Sequence, residues 1–338
     1  MTLVKDCYKK GELIQDATFK MVNALFAEYG LVVLLPDNAA LKKQMLKIFE
    51  DDLLHQRPSD LVGKTIEKID AAGYKVQANP REINLFYLEE GVRERIERKG
   101  SAFKVVGSAL VFSEPELLKE LEEDPERFSP NVILRGIYQE TILPNIAFIG
   151  GGGELAYWLQ YGELFAHYKV PFPVLVLRNS FLFVEKGWQD KISKLGFTTE
   201  DFFLPEQELL NKLVMRESKN ETKLNGSLTQ VEQLYESFKK QAGQVDPSLT
   251  QHVDALKTKA VYRLQELEKK MLRAEKRKFT DRQRQIHTVR SILFPGNGLQ
   301  ERHDNLLQYY AKWGKGFIQR LYEHSLGLEQ EFVILLEK

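Results

Sequence analysis

Residues Ser129–Gln160 read SPNVILRGIYQETILPNIAFIGGGGELAYWLQ, and residues Pro171–Phe181 read PFPVLVLRNSF. A helix is expected from the Ser129-Pro130-Asn131 start signal to Leu143, where Pro144 ends it. Asn145–Ile149 is then a short apolar strand, Gly150–Gly153 an unbroken glycine run, Glu154–Tyr168 an aromatic-rich helix and Pro173–Leu177 a second strand. The order strand, loop, helix, strand predicts a right-handed parallel crossover, half of a doubly wound sheet. The chain is therefore α/β in this part.

Upstream, residues 18 to 54 predict a helix from Thr18 to Tyr29, a strand Leu31–Leu35, a turn at Pro36-Asp37-Asn38 and a second helix, the same alternation. Between Gly73 and Ser113 the runs YKVQA, INLFYL, FKVV and ALVF, separated by polar or turn segments, predict a small antiparallel insertion. Ser113-Glu114-Pro115-Glu116 reads as a capping box that starts a helix. Downstream, SKNETKLNG (Ser218–Gly226) is a polar break. Beyond it, Leu249, Val253, Leu256, Ala260, Leu264, Leu267, Met271 and Ala274 recur every three or four residues. The helix before Asp246-Pro247 and the helix after it should pair as an antiparallel coiled-coil hairpin. Leu306, Leu307, Tyr310, Trp313 and Phe317 predict a last helix packed on a core. The expected divisions are thus 1–71 α/β core, 72–113 antiparallel insertion, 114–217 α/β core with the glycine loop, 218–292 coiled-coil hairpin and 293–338 C-terminal helical segment.

Composition limits the function classes. The 338 residues hold 48 basic and 48 acidic side chains, so no overall electrostatic pull toward nucleic acid or an anionic membrane is expected. The single cysteine, Cys7, allows no intrachain disulfide. No apolar run approaches the roughly 20 residues of a membrane span, and a cytoplasmic protein is expected. The six histidines have no ligand-like spacing, so no metal site is expected. Gly63-Lys64-Thr65 resembles the end of a phosphate-binding loop, but Pro58 stands where that loop needs glycine. The basic run Lys269–Lys278 alternates with Glu266, Glu268 and Glu275 as the wet face of a coiled coil.

Candidate ligand-binding residues cluster in the opening stretch. Bare backbone at Gly150, Gly151 and Gly153, between a strand and a helix, can approach an anion, although Glu154 beside it is awkward for phosphate and suits an amine or the helix dipole. Asn131 stands at the start of the preceding helix. Arg135 and Gln139 share one face of that helix, with Glu140 adjacent; arginine can grip a carboxylate through two hydrogen bonds. Arg178 and Asn179 follow the next strand and fall on the same sheet edge as the glycine loop, the edge that ligands favour.

The same two quoted stretches, together with LFAEYGLVVLLPD, GYKVQ and NLFY upstream and ILFPGNGLQERHDNLLQYYAKWG downstream, resemble the cysteine-adding enzymes of bacillithiol biosynthesis, a cysteine ligase family, over nearly the whole chain. Gly152 departs from the Pro that this family often has in G-P-G-E. The resemblance implies a Rossmann-like core with inserted segments, a coiled coil suited to homodimerisation, and addition of cysteine to glucosaminyl-malate. Amide formation of that kind requires carboxyl activation, for which ATP is expected. Arg135 and Arg178 are then expected to bind anions, Gln139 and Asn179 to orient the substrate, and Glu140 or Glu154 to handle the amine or a proton. The family also has an N-terminal half with Gly-Gln-Gln and Glu-Asp-His motifs that find no counterpart here. A fragment, a mispredicted start or one half of a split enzyme is therefore expected, poorly soluble or inactive by itself. The other reading is a non-catalytic assembly module built around the hairpin.

Overall fold

The computed structural model describes residues 2–218, 220 and 223–338. Two compact units form: residues up to Asn179 together with Tyr309–Glu331, and Ser180–Gln308 together with Phe332–Lys338. The polar break expected over Ser218–Gly226 includes Lys219, Glu221 and Thr222, which lie outside the described residues.

In the first unit, five strands build an antiparallel sheet: β1 (Leu85–Glu89), β2 (Val92–Lys99), β3 (Ala102–Val105), β4 (Val111–Ser113) and β5 (Phe128–Pro130). Their order is β4-β3-β2-β1-β5. Pairing of Phe86 with Arg95 and of Ile96 with Val105 sets the register. One face carries Leu85, Tyr87, Ile96, Phe103 and Val105 into the core, while the alternate residues Phe86, Arg93 and Arg95 face away from it, as the period of two requires. The meander extends the expected insertion. INLFYL, FKVV and ALVF form strands, YKVQA does not, and the charged run VRERIERK and Phe128–Pro130 are strands that went unforeseen.

The parallel part is small among the described residues. β6 (Ala147–Gly150) pairs in parallel with β7 (Val174–Leu177), Gly150 opposite Leu177, with helical turns between them as the crossover predicts. The expected strand Leu31–Leu35 does not form: these residues have no regular secondary structure and no strand partner, and Val32 is 85% exposed. An apolar β-prone run becomes a strand only when a neighbour takes its backbone hydrogen bonds.

Asn131 caps the helix Val132–Ile142, its Oδ1 accepting from Ile133 N at 2.8 Å. Gly136 lets that helix press against an aromatic cluster, because a Cβ there would lie 3.1 Å from the Tyr161 ring. Trp158, Tyr161 and Phe165 are buried beside it, and Phe148 stacks on Trp158 at 4.0 Å. These large buried rings fix the helix against β6.

The second unit is mostly helical. Helices Asn225–Val245 and Leu249–Lys276 form the expected hairpin, joined at Asp246-Pro247-Ser248. Ion pairs Lys239–Asp254 at 2.6 Å and Lys257–Glu236 at 2.7 Å give the antiparallel register. Besides helices, the unit contains a parallel pair of β8 (Ser180–Val184) with β9 (Phe332–Leu336). The C-terminal segment was expected to be helical throughout; Leu306–Trp313 and Lys315–Glu323 are helices, but Phe332–Leu336 is a strand because it pairs with β8.

Candidate functional site

The candidate site is a cleft of about 600 Å³ in the first unit, lined from four separate segments, one of them the helix Gly152–Trp158 through Tyr157. Asn79, Arg81 and Asn84 come from the loop before β1, Arg93 and Arg95 from the outer face of β2, and Asn131, Val132 and Arg135 from the start of the helix Val132–Ile142. Arg93 lies over the Phe86 ring, its guanidinium carbon 4.2 Å from the centroid. That contact holds the side chain across the sheet without neutralising it.

The floor of the cleft is a buried polar network. Asn84 donates from its backbone N to Asp52 Oδ2 at 2.6 Å and from its side chain to Asp52 Oδ1 at 2.9 Å. The same side chain donates to the Arg81 carbonyl at 3.0 Å, and its Oδ1 accepts from Arg81 N at 3.1 Å and Asn131 Nδ2 at 2.9 Å. Arg81 and Asn131 are thereby tied to one another through a single fully buried amide. Burial pushes the Asp52 carboxyl up to about 7, the hydrogen bonds from Asn84 pulling in the opposite direction. The neighbouring Tyr157 hydroxyl is also raised, chiefly by burial.

Arg135 stands at the join between this cleft and a second recess of about 40 Å³, lined by Gln139, Phe148, Glu154 and Trp158 among others. Arg135 and Gln139 share a helix face as their spacing predicts, and Glu154 from the helix Gly152–Trp158 meets them in a space about large enough for a water or a small functional group.

The other expected residues take different places. Asn131 lines the cleft, but both ends of its amide are used, one for the helix cap and one for Asn84. Glu140 is not on the Arg135 face in any useful sense: it is 1% exposed, and its two oxygens accept from Asn145 N at 2.8 Å and Asn145 Nδ2 at 3.0 Å. Being one residue on from Gln139 turns it about 100° around the helix, toward the loop that enters β6. Gly150 is required by close approach, since a Cβ would lie 2.6 Å from the Phe148 ring. The run does not make an anion cradle. Glu154 Oε2 already accepts from Gly151 N at 2.8 Å, and the helix it opens, Gly152–Trp158, is only seven residues long. A nucleotide phosphate does not fit there, because it would have to displace a carboxylate and stand beside it. Arg178 does meet the glycine loop, its N donating to Gly150 O at 2.9 Å. Asn179 Oδ1 accepts from Leu326 N at 2.9 Å and so anchors the chain that follows the helix Lys315–Glu323. Arg178 and Asn179 share the sheet edge with Gly150 but do not line the cleft that holds Arg135.

Arg81, Arg93, Arg95, Asn84 and Asp52 were missed. The signal available was VRERIERK, where Arg93 and Arg95 two apart share a face if the run is a strand; its charge argued for a solvated segment instead.

The first unit combines a parallel β6–β7 crossover with an arginine-lined cleft, and the second carries a coiled-coil hairpin. Residues 1–179 match the family described as bacillithiol biosynthesis BshC, N-terminal Rossmann-like domain, and residues 181–337 its C-terminal coiled-coil domain. The chain belongs to the BshC family. A relative from Flavobacterium psychrophilum, named "Putative cysteine ligase BshC", is 38% identical over 98% of this chain and 62% of its own length. The relative of the same name from Christiangramia forsetii is also 38% identical, over 98% of this chain and 62% of its own, and that from Salinibacter ruber 31%, over 96% and 60%. The chain therefore spans about 62% of the length of the first two. That proportion is a statement of length and does not support the expectation that an N-terminal half in particular is lacking. No helix among the described residues is long and apolar enough to cross a membrane.

Proposed function

We propose that the chain acts in a cysteine ligase of bacillithiol biosynthesis that joins the cysteine carboxyl to the amine of glucosaminyl-malate in the cytoplasm. The observation that carries this reading is the 38% identity to cysteine ligase relatives over 98% of the chain. Forming the amide takes an oxygen from the carboxyl and a proton from the amine, and ATP is the proposed reagent that makes the oxygen a leaving group. The glycine loop does not suit its phosphates, so no step is assigned there. Both substrates bring carboxylates, which suits Arg135 as an anion-binding residue. Gln139 and Glu154 share its recess, which supports a role for them in orienting an ammonium or amine.

The test is cysteine-dependent consumption of glucosaminyl-malate by the purified chain, with and without ATP. Product of the amide mass, with turnover lowered at least about tenfold by Arg135→Ala, supports the reading. A folded chain that makes no product overturns it as an active ligase. The second reading, an assembly module or one half of a split enzyme, is favoured by the apolar side chains that the hairpin leaves exposed, including Leu234, Phe238 and Leu256.

A further inference from the structure

We infer that the cleft beside β2 is a receptor for a compact molecule carrying two or more anionic oxygen groups, with Arg81, Arg93, Arg95 and Arg135 as its cations. Every charged side chain lining the cleft is an arginine, and no carboxylate is among them. The chain as a whole balances 48 basic against 48 acidic residues, so this is local placement and not a consequence of composition. Among the described residues Arg81, Arg93 and Arg135 form no ion pair, and Arg95 meets only Glu97, at a loose 3.9 Å. Four like charges around one hollow repel one another, a cost that an anion bound between them would relieve.

The backbone that carries these arginines is fixed. Arg81 is fixed through its backbone to the buried Asn84–Asp52 pair, Arg93 rests on Phe86, and Arg135 rides on a capped helix packed against Trp158 and Tyr161. Guanidinium groups grip carboxylates or phosphates through paired hydrogen bonds, and a fixed backbone with Arg93 already resting on Phe86 reduces the ordering left to do on binding. The cleft volume suits a molecule of metabolite size. The shared chemistry belongs to the malyl dicarboxylate of the proposed substrate and to the phosphates of a nucleotide; assignment to the malyl group rests on the ligase reading, whereas anion binding as such does not.

Titration calorimetry of the chain with L-malate, inorganic pyrophosphate and, as a neutral control, mannitol tests this. One or both anions should saturate at one site, with a dissociation constant in the millimolar range or below, about 4 kcal/mol or more. Affinity should fall at least about tenfold in Arg93→Ala and in Arg135→Ala, and less in Arg135→Lys, which keeps the charge but not the fork. Malate binding alone assigns the site to a dicarboxylate, and pyrophosphate alone to phosphates. No saturable binding of either anion, or binding that Arg93→Ala and Arg135→Ala leave unchanged, overturns the inference. Binding without ligation would instead sink only the ligase reading. All of these side chains except Arg95 are exposed, so the variants should fold, which their melting temperatures check.

Discussion

Asp52 is a fully buried carboxyl whose partners are two N–H donors of one asparagine. The donors favour its ionised form and burial the neutral form; burial prevails and raises it to about 7. The unfolded chain releases this proton near pH 4 and the folded chain only near pH 7, so between those values the folded state binds more protons and stability falls as pH rises. The loss is complete above about pH 7 and amounts to at most about 4 kcal/mol. Asp51, paired with Arg57 and bonded to Tyr168, adds its own charge to the surroundings of Asp52. Melting temperatures from pH 4 to 8 should therefore decline more steeply for the native chain than for Asp52→Asn. Parallel profiles would show that Asp52 titrates as an ordinary carboxyl.

At the scale of elements, Glu140 shows how a side chain moves from chemistry to architecture. It holds the backbone and side chain of Asn145, and so sets where β6 begins. Glu140→Ala should cost about 1–3 kcal/mol, measured by denaturant unfolding, because the half-buried Asn145 donors lose their acceptor. Anion binding in the cleft should be unchanged; a matching loss of binding would return Glu140 to the site. The helix of Asn131 and Arg135, the β6–glycine–helix–β7 crossover and the hairpin were all legible, since capping residues, glycine runs and three-and-four spacing are local signals. Leu31–Leu35 and Val92–Lys99 were misjudged for opposite reasons. The first has strand composition without a partner; the second has loop composition but is flanked by β1 and β3. Two of the four cleft arginines lie on that second run. Its arginines are distant in sequence from Arg135 and meet it only through the pairing of β1 with β2 and β5, which no local pattern reveals.

On the scale of the whole molecule, two apolar surfaces remain, and they predict different kinds of association. On β6 and β7 and the residue before them, Ile146 is 91% exposed, and Ile149, Val174 and Leu177 are exposed with it. A two-stranded parallel sheet also presents unpaired backbone along its edges. Surfaces of that sort attract other chains without fixing a number of copies. The hairpin instead exposes Leu234, Phe238, Leu249, Leu256 and Leu267 along two regular helices, and helical stripes pack with defined geometry, for which we propose a dimer. Leu234→Glu combined with Leu256→Glu should convert a defined dimer into a monomer in light scattering coupled to size exclusion, leaving anion binding in the other unit unaltered. Ile146→Lys combined with Val174→Lys should raise solubility without changing the number of copies. A chain that stays dimeric after the hairpin changes, and becomes monomeric after the sheet changes, would place the self-association surface on the sheet and not on the coiled coil.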